Sequence, residues 1–276
     1  MKKVLLMLLI MTGFAQIGRS QTDVLAYEKL TFDSQKEQAI WTSGDENPFH
    51  LFQAVQADKI VSEDAWTVLV KDLDSKASKS GTDVNFLRQI FQKSHQKLFK
   101  KYEQHSTFNL MLSEGQFDCV SGSAALGMLL ERYGYEFDII ETDYHVFIAV
   151  NLEGEKIVLE STLPVGGMIT SPSEVEKYLD AYKPKESATL RAVNQRLAGP
   201  EIDYSDNTIF RKVTLTQLAG LQYYNDAIVH FNAQAFGQAV EQLSKAYLLY
   251  PSDRILSLRE LSIDLAYKTY GYELKK

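Results

Sequence analysis

One cysteine, Cys119, stands in the 276-residue chain, so no intramolecular disulfide can form and a small disulfide-stapled scaffold is excluded. With only six prolines and 15 glycines, collagen-like and Pro/Gly-rich disordered chains are excluded too. Basic charge is in deficit, 29 Lys and Arg against 36 Asp and Glu for a net charge of −7. A surface of that sign has no face for neutralising phosphates, so neither a nucleic-acid partner nor adhesion to an anionic membrane is expected. Beyond residue 11 no apolar run approaches the ~20 residues that span a bilayer. No glycine-rich phosphate loop occurs, since Gly166-Gly167 follows Pro164 and reads as a turn. The Gly-x-Ser-x-Gly elbow is missing as well, and Ser121-Gly122-Ser123 reads as a helix start.

What is present is the composition of an ordinary globular protein, 45% hydrophobic and 24% charged. The N-terminus has the parts of a secretory signal: Lys2-Lys3, an apolar run over residues 4–11, and small residues at two candidate cuts. Cleavage after Ser20, with Gly18 at −3, is favoured over cleavage after Ala15. Losing Lys2, Lys3 and Arg19 moves the net charge from −7 to −10. The expectation is an exported protein, periplasmic or secreted, with no membrane insertion after signal cleavage. In an oxidising compartment a leftover thiol is reactive or intermolecular, or else buried and inert.

Four regions follow from the patterning: the signal segment 1–20, a helical region 21–105, an α+β core 106–215 and a helical tail 216–276. In the second, Pro48 opens a short helix, Ser62 precedes a longer one, and Thr82 is read as the cap of a helix with Val84, Leu87, Phe91, His95 and Leu98 inward. His50, His95, His105 and His230 read as structural or solvated. In the core, Asp118 precedes a helix that starts at Cys119 and stops at Tyr133-Gly134. Three β-rich runs come next, over residues 136–141, 144–151 and 156–162, and Asn207 to Leu215 reads as a further strand. A two-residue turn at Glu153-Gly154 puts His145 opposite Thr162 and makes Glu160 its diagonal neighbour, about 7–8 Å away on the same face. In the tail, Thr216 is read as the first cap. Its two apolar stripes and Pro251 resemble one tetratricopeptide repeat, a unit of about 34 residues, expected to pack on the core because one repeat cannot stand alone.

The chemistry-bearing set is a thiol in the first turn of a helix, an imidazole on a strand, and a carboxylate on the neighbouring strand. Cys119 is the candidate nucleophile, and a helix N-terminus beside an imidazolium can lower a thiol pKa from ~8.5 to ~3.5–7.5. His145 is the candidate base and Glu160 the residue that orients it. Backbone N–H groups at the helix start and the Gln116 side chain are candidate oxyanion donors. A metal site would need three or four clustered ligands, and His145, Glu160 and Asp143 could only begin one. Glu141 with Asp143 reads as a pair of solvated edge charges rather than a glycosidase pair. No cofactor is expected.

Over residues 106–165 this arrangement resembles the transglutaminase-like superfamily of papain-type cysteine enzymes. The likeness rests on Cys119 at a helix start, His145 opening a strand with Phe147 two places on, and an acid in Glu160-Ser161-Thr162. It implies a helix packed on an antiparallel sheet and Cys-His-acid chemistry on amides: peptide hydrolysis, deamidation or acyl transfer to an amine. It also implies export and attachment to helical repeats, as is frequent among bacterial members. Two positions depart from the family's pattern: Glu160 stands where Asp is commoner, and Asp118 adjoins the thiol where a neutral residue is usual. Two function classes are thus in view. One is a cysteine enzyme with a peptide or protein substrate. The other is a non-catalytic module with a vestigial triad that holds a protein partner through its C-terminal helices.

Overall fold

The computed structural model describes residues 30–45, 47–59, 62–184 and 208–274. The expected signal segment 1–20 and residues 185–207, in the stretch after Pro164, lie outside the described residues.

Helix starts follow local capping chemistry. Ser34 opens α1 (Gln35–Thr42) by accepting from Glu37 N–H, and Asn47 opens α2 (Pro48–Ala54) with proline in its first turn. After α3 (Asp64–Ser80) comes α4 (Val84–Lys97), whose cap is Asp83 rather than Thr82: the Asp83 carboxylate accepts from Phe86 N–H at 2.7 Å. The buried face of α4 is wider than the expected stripe and adds Phe86 and Ile90 to Leu87 and Phe91. A short parallel pair, β1 (Lys101–Tyr102) with β2 (Gln116–Phe117), brackets α5 (Phe108–Glu114). Directly after β2 runs α6 (Cys119–Arg132), whose residues from Val120 to Gly127 are all buried.

The fold is α+β around a five-stranded antiparallel sheet. Its strands are β3 (Glu136–Thr142), β4 (Val146–Leu152), β5 (Glu155–Leu159), β6 (Met168–Ile169) and, after α7 (Pro172–Tyr182), β7 (Phe210–Val213). They lie in the order β6-β5-β4-β3-β7, so the strand read from residues 207–215 adds to the edge beside β3. Glu153 and Gly154 both have positive φ, 53° and 86°, as a primed two-residue hairpin turn requires. The resulting pairs, Leu152 with Glu155 and Ile148 with Leu159, are the register that such a turn dictates.

β4 is apolar throughout its first five residues because both faces are covered. α6 packs against β3 and β4. On the other side Val175, Tyr178, Leu179 and Tyr182 of α7 meet Ile140, Phe147, Ala149 and Val158.

The tail comprises α8 (Leu215–Asn232), α9 (Phe236–Leu249) and α10 (Asp253–Tyr270). Its cap is Thr214, not Thr216: Thr214 and Gln217 exchange side-chain to backbone hydrogen bonds in a capping box. At Gly220 the α8–α9 hairpin closes so tightly that a Cβ would stand 2.8 Å from that of Tyr250. α8 packs against α6 and α2. An ion pair of two buried groups, Lys245 Nζ to Glu37 Oε1 at 2.7 Å, ties α9 to α1. No helix among the described residues is long and apolar enough to cross a membrane.

His95 sits in an aromatic surround, with ring centroids 4.7 Å from Phe91 and 5.1 Å from Phe99. Both of its ring nitrogens are buried without a hydrogen-bond partner, and burial pushes its pKa down to about 4. The unfolded chain, with His near 6.5, therefore binds a proton that the folded chain refuses, and stability falls as pH drops from about 6.5 toward 4. His95→Leu is expected to flatten that fall. Its Tm advantage over the wild type should be larger at pH 5 than at pH 8 by at least about 2 °C in calorimetry, and an equal advantage at both would refute the assignment.

Candidate functional site

Cys119 occupies the first position of α6, and Asp118 is its N-cap. Asp118 Oδ1 accepts from Ser121 N–H at 2.7 Å and from Ser121 Oγ at 2.8 Å, while Ser121 Oγ accepts from Asp118 N–H at 2.9 Å. From the tail, Asn225 Nδ2 donates to Asp118 Oδ2 at 3.1 Å. One turn further on, Gly122 lets the helix meet the end of β5: a Cβ there would stand 2.7 Å from Ser161 Oγ. That close approach brings the thiol's helix against the segment that carries Glu160.

The electrostatics of the thiol differ from the expectation of a lowered pKa. Burial pushes the Cys119 thiol well above the ordinary thiol range, the Asp118 carboxylate adds to the rise, and a hydrogen bond from the Val146 backbone offsets part of it. Partial dipolar stabilisation at a helix start is outweighed by desolvation, although the residue keeps partial solvent access. Asp118→Asn retains a good N-cap and removes the charge. Alkylation of Cys119 by iodoacetamide at pH 8 is expected to accelerate about three- to tenfold, with the midpoint of its pH profile lower. A profile identical to the wild type would show that Asp118 exerts no field on sulfur.

His145 stands just before β4, where Thr142 brackets its backbone: Thr142 N–H and Oγ1 donate to His145 O at 2.8 and 3.0 Å, and His145 N–H donates to Thr142 Oγ1 at 3.1 Å. Its ring stacks on Tyr182, centroids 5.7 Å apart at 25°. Nε2 lies 2.5 Å from Glu160 Oε2, which leaves Nδ1 as the nitrogen available to a thiol. Glu160 is 2% exposed and accepts four hydrogen bonds. Besides His145, Tyr178 donates to Oε2, and Thr162 donates to Oε1 through N–H at 2.8 Å and Oγ1 at 2.6 Å. Burial alone would push the carboxyl up, but the hydrogen bonds from His145, Thr162 and Tyr178 prevail and hold it below the usual carboxylate range. Gly167 closes the turn beneath it: its carbonyl accepts from Glu160 N–H at 2.7 Å, and a Cβ there would lie 2.1 Å from Leu163 O.

Cys119 and His145 line one cavity of about 340 Å³, whose other walls include Tyr102, His105, Tyr144 and, from the tail, Leu221, Tyr224, Asn225 and Arg254. Gln116 is not brought there. Its amide donates to Glu114 Oε2 at 2.9 Å, on the far side of β2 from the buried Phe117. His105, read as structural or solvated, lines the cavity with a buried and unpartnered Nδ1. His230 pairs with Asp226 at 3.5 Å. Glu141 is fully buried rather than solvated, held by Arg211 at 2.8 Å, Arg254 at 2.5 Å and the Tyr250 hydroxyl, while Asp143 accepts from the Thr208 and Ile209 backbones. Sequence reading also passed over Tyr178 and Tyr182. Their spacing of four on one helix was a readable sign of a shared face, but not of a role at the carboxylate. No family model, curated protein or solved structure matches the chain.

Proposed function

We propose that the chain is an exported, transglutaminase-like cysteine enzyme that acts on peptide or protein amide bonds, with Cys119 as nucleophile, His145 as base and Glu160 as the residue that orients it. The observation that carries this reading is the His145–Glu160 contact of 2.5 Å beside the cavity that His145 shares with Cys119. In the mechanism, His145 Nδ1 takes the thiol proton as sulfur attacks the substrate carbonyl, and the tetrahedral oxyanion faces N–H groups at the start of α6. Collapse breaks the C–N bond, His145 returns the proton to the departing amine, and an acyl group remains on sulfur. Water or a second amine then accepts the acyl group. Because burial holds the thiol protonated at rest, the proton transfer accompanies attack instead of preceding it.

The test is a rapid-mix experiment with p-nitrophenyl acetate, read as a burst of p-nitrophenol and as acetyl mass on Cys119. One acetyl group per chain, lost in Cys119→Ser, is the expected outcome. The raised thiol, whose sulfur accepts from the Val146 backbone N–H and takes no share of its shift from His145, favours a second reading. In it the cleft is a non-catalytic binding module and the helical hairpin α8–α9 a tetratricopeptide-like scaffold for a protein partner. Absence of any burst in the wild type would select it.

A further inference from the structure

The cavity beside Cys119 is walled on one side by the tail. Leu221, Tyr224 and Ile228 all line it, spaced three and four apart on α8, so that one stripe of the helix faces the thiol's cavity. Val120 and Val146 add apolar surface next to the thiol and the imidazole. The two carboxylates and the guanidinium in the same walls are engaged with protein, while His105 Nδ1 and Arg254 Nε are buried there without a hydrogen-bond partner. Asp118 is held by Ser121 and Asn225. Asp143 takes Thr208 Oγ1 at 2.6 Å and backbone N–H groups at 2.7 and 2.9 Å. Arg254 is paired with Glu141 at 2.5 Å and donates to Asp143 O at 3.3 Å. An anionic ligand group beside sulfur would face the Asp118 carboxylate, and a cationic one would meet no unpaired carboxylate, whereas an apolar group would gain by leaving water. The volume, about 340 Å³, lies at the small end of the roughly 300–1,000 Å³ of ligand pockets and suits a side chain with its amide.

We infer that α8 forms the specificity wall of this site, and that Leu221, Tyr224 and Ile228 receive an uncharged apolar side chain borne next to the scissile carbonyl. This rests on the enzyme reading above and narrows its substrates to amides with an apolar or aromatic residue on the acyl side. The tail helices would thereby choose the substrate instead of presenting a separate groove.

The test uses the full chain and three electrophiles that differ in the group carried into the cavity: iodoacetamide, N-benzyl-2-iodoacetamide and iodoacetate. In each, a C–S bond forms at Cys119, iodide leaves and the thiol proton passes to the base. Intact mass reports the rate at the sole cysteine. Each rate is divided by that of N-acetylcysteine to remove intrinsic reactivity. The benzyl reagent is expected to exceed iodoacetamide by about tenfold on this scale, with iodoacetate slowest. Ile228→Asn should erase the benzyl advantage and Ile228→Leu keep it, while Val229→Asn, on the exposed side of α8, leaves it at the wild-type value. Equal normalised rates for the benzyl and parent reagents, or an advantage that survives Ile228→Asn, would overturn the specificity wall. The enzyme reading is judged separately, by whether iodoacetamide alkylation depends on His145. Should that dependence be absent, both proposals fall.

Discussion

Replacing His145 with alanine is expected to slow acylation of Cys119 by p-nitrophenyl acetate about 10²–10⁴-fold, the usual contribution of a positioned general base. The thiol is held protonated by burial and by Asp118, so no standing thiolate remains to react once the base is removed. Glu160→Gln is expected to approach the same loss. The carboxylate accepts from four donors, two on each oxygen. An amide can accept on one oxygen only, so at least one pair of donors loses its acceptor in a buried site. If the amide nitrogen faces His145, the imidazole must turn its lone pair toward it and place its proton on Nδ1, where it cannot act as a base. Stopped-flow burst rates at pH 8 measure both effects. Wild-type rates in His145→Ala would end the enzyme reading.

The largest expected loss of stability lies outside the cavity lining. Lys245→Met is expected to cost about 3–5 kcal/mol, because it leaves Glu37 buried with its cation gone. Glu37 is 2% exposed, and its remaining partners are Asp33 N–H at 2.7 Å and the Tyr223 hydroxyl at 3.3 Å. Even in the intact pair burial pushes the Glu37 carboxyl above its ordinary range, against the lowering effect of Lys245. Without the lysine that rise must grow. A carboxyl raised in the folded state binds a proton that the unfolded chain gives up, so the folded form gains as pH falls and loses as pH rises through the window above about 4.5. The Lys245→Met defect in urea denaturation should therefore be deeper at pH 8 than at pH 5. Glu37→Gln added to Lys245→Met should recover more than half of it. A defect independent of pH, with no recovery in the double variant, would assign the loss to the contacts of the lysine ammonium with the Phe32 and Tyr223 rings.

Features set by short-range geometry were legible before the structure, and those set by distant packing were not. Glu153-Gly154 specifies a two-residue turn, the turn specifies the register, and the register brings His145 to Glu160. Asp118 as an N-cap depends on Ser121, three residues away, so it too could be read locally. The caps of α4 and α8 were displaced by one and two residues because Asp83 and Thr214 compete with equally suitable neighbours. Glu141 was misjudged because β3 looks like an edge until β7 docks beside it and brings Arg211, seventy residues later, onto the carboxylate. Gln116 failed for a simpler reason: in an extended pair its side chain points opposite to Phe117, and Phe117 is the one that faces inward. The tail's share of the cavity, and the hydroxyl of Tyr178 on Glu160, arise only when helices separated in sequence pack around the same strand ends.

The enclosure of Cys119 bears on chemical durability as well as on catalysis. Peroxides and disulfides are attacked by the thiolate, and a thiol held protonated reaches sulfenic acid or a mixed disulfide only slowly. A chain with one cysteine has no resolving partner within itself to reverse such damage. On the cysteine-enzyme proposal, Asp118 beside sulfur and the apolar stripe of α8 along the cavity would also act as an antioxidant shield, leaving the sulfur to a reagent that enters the cavity while His145 takes the thiol proton.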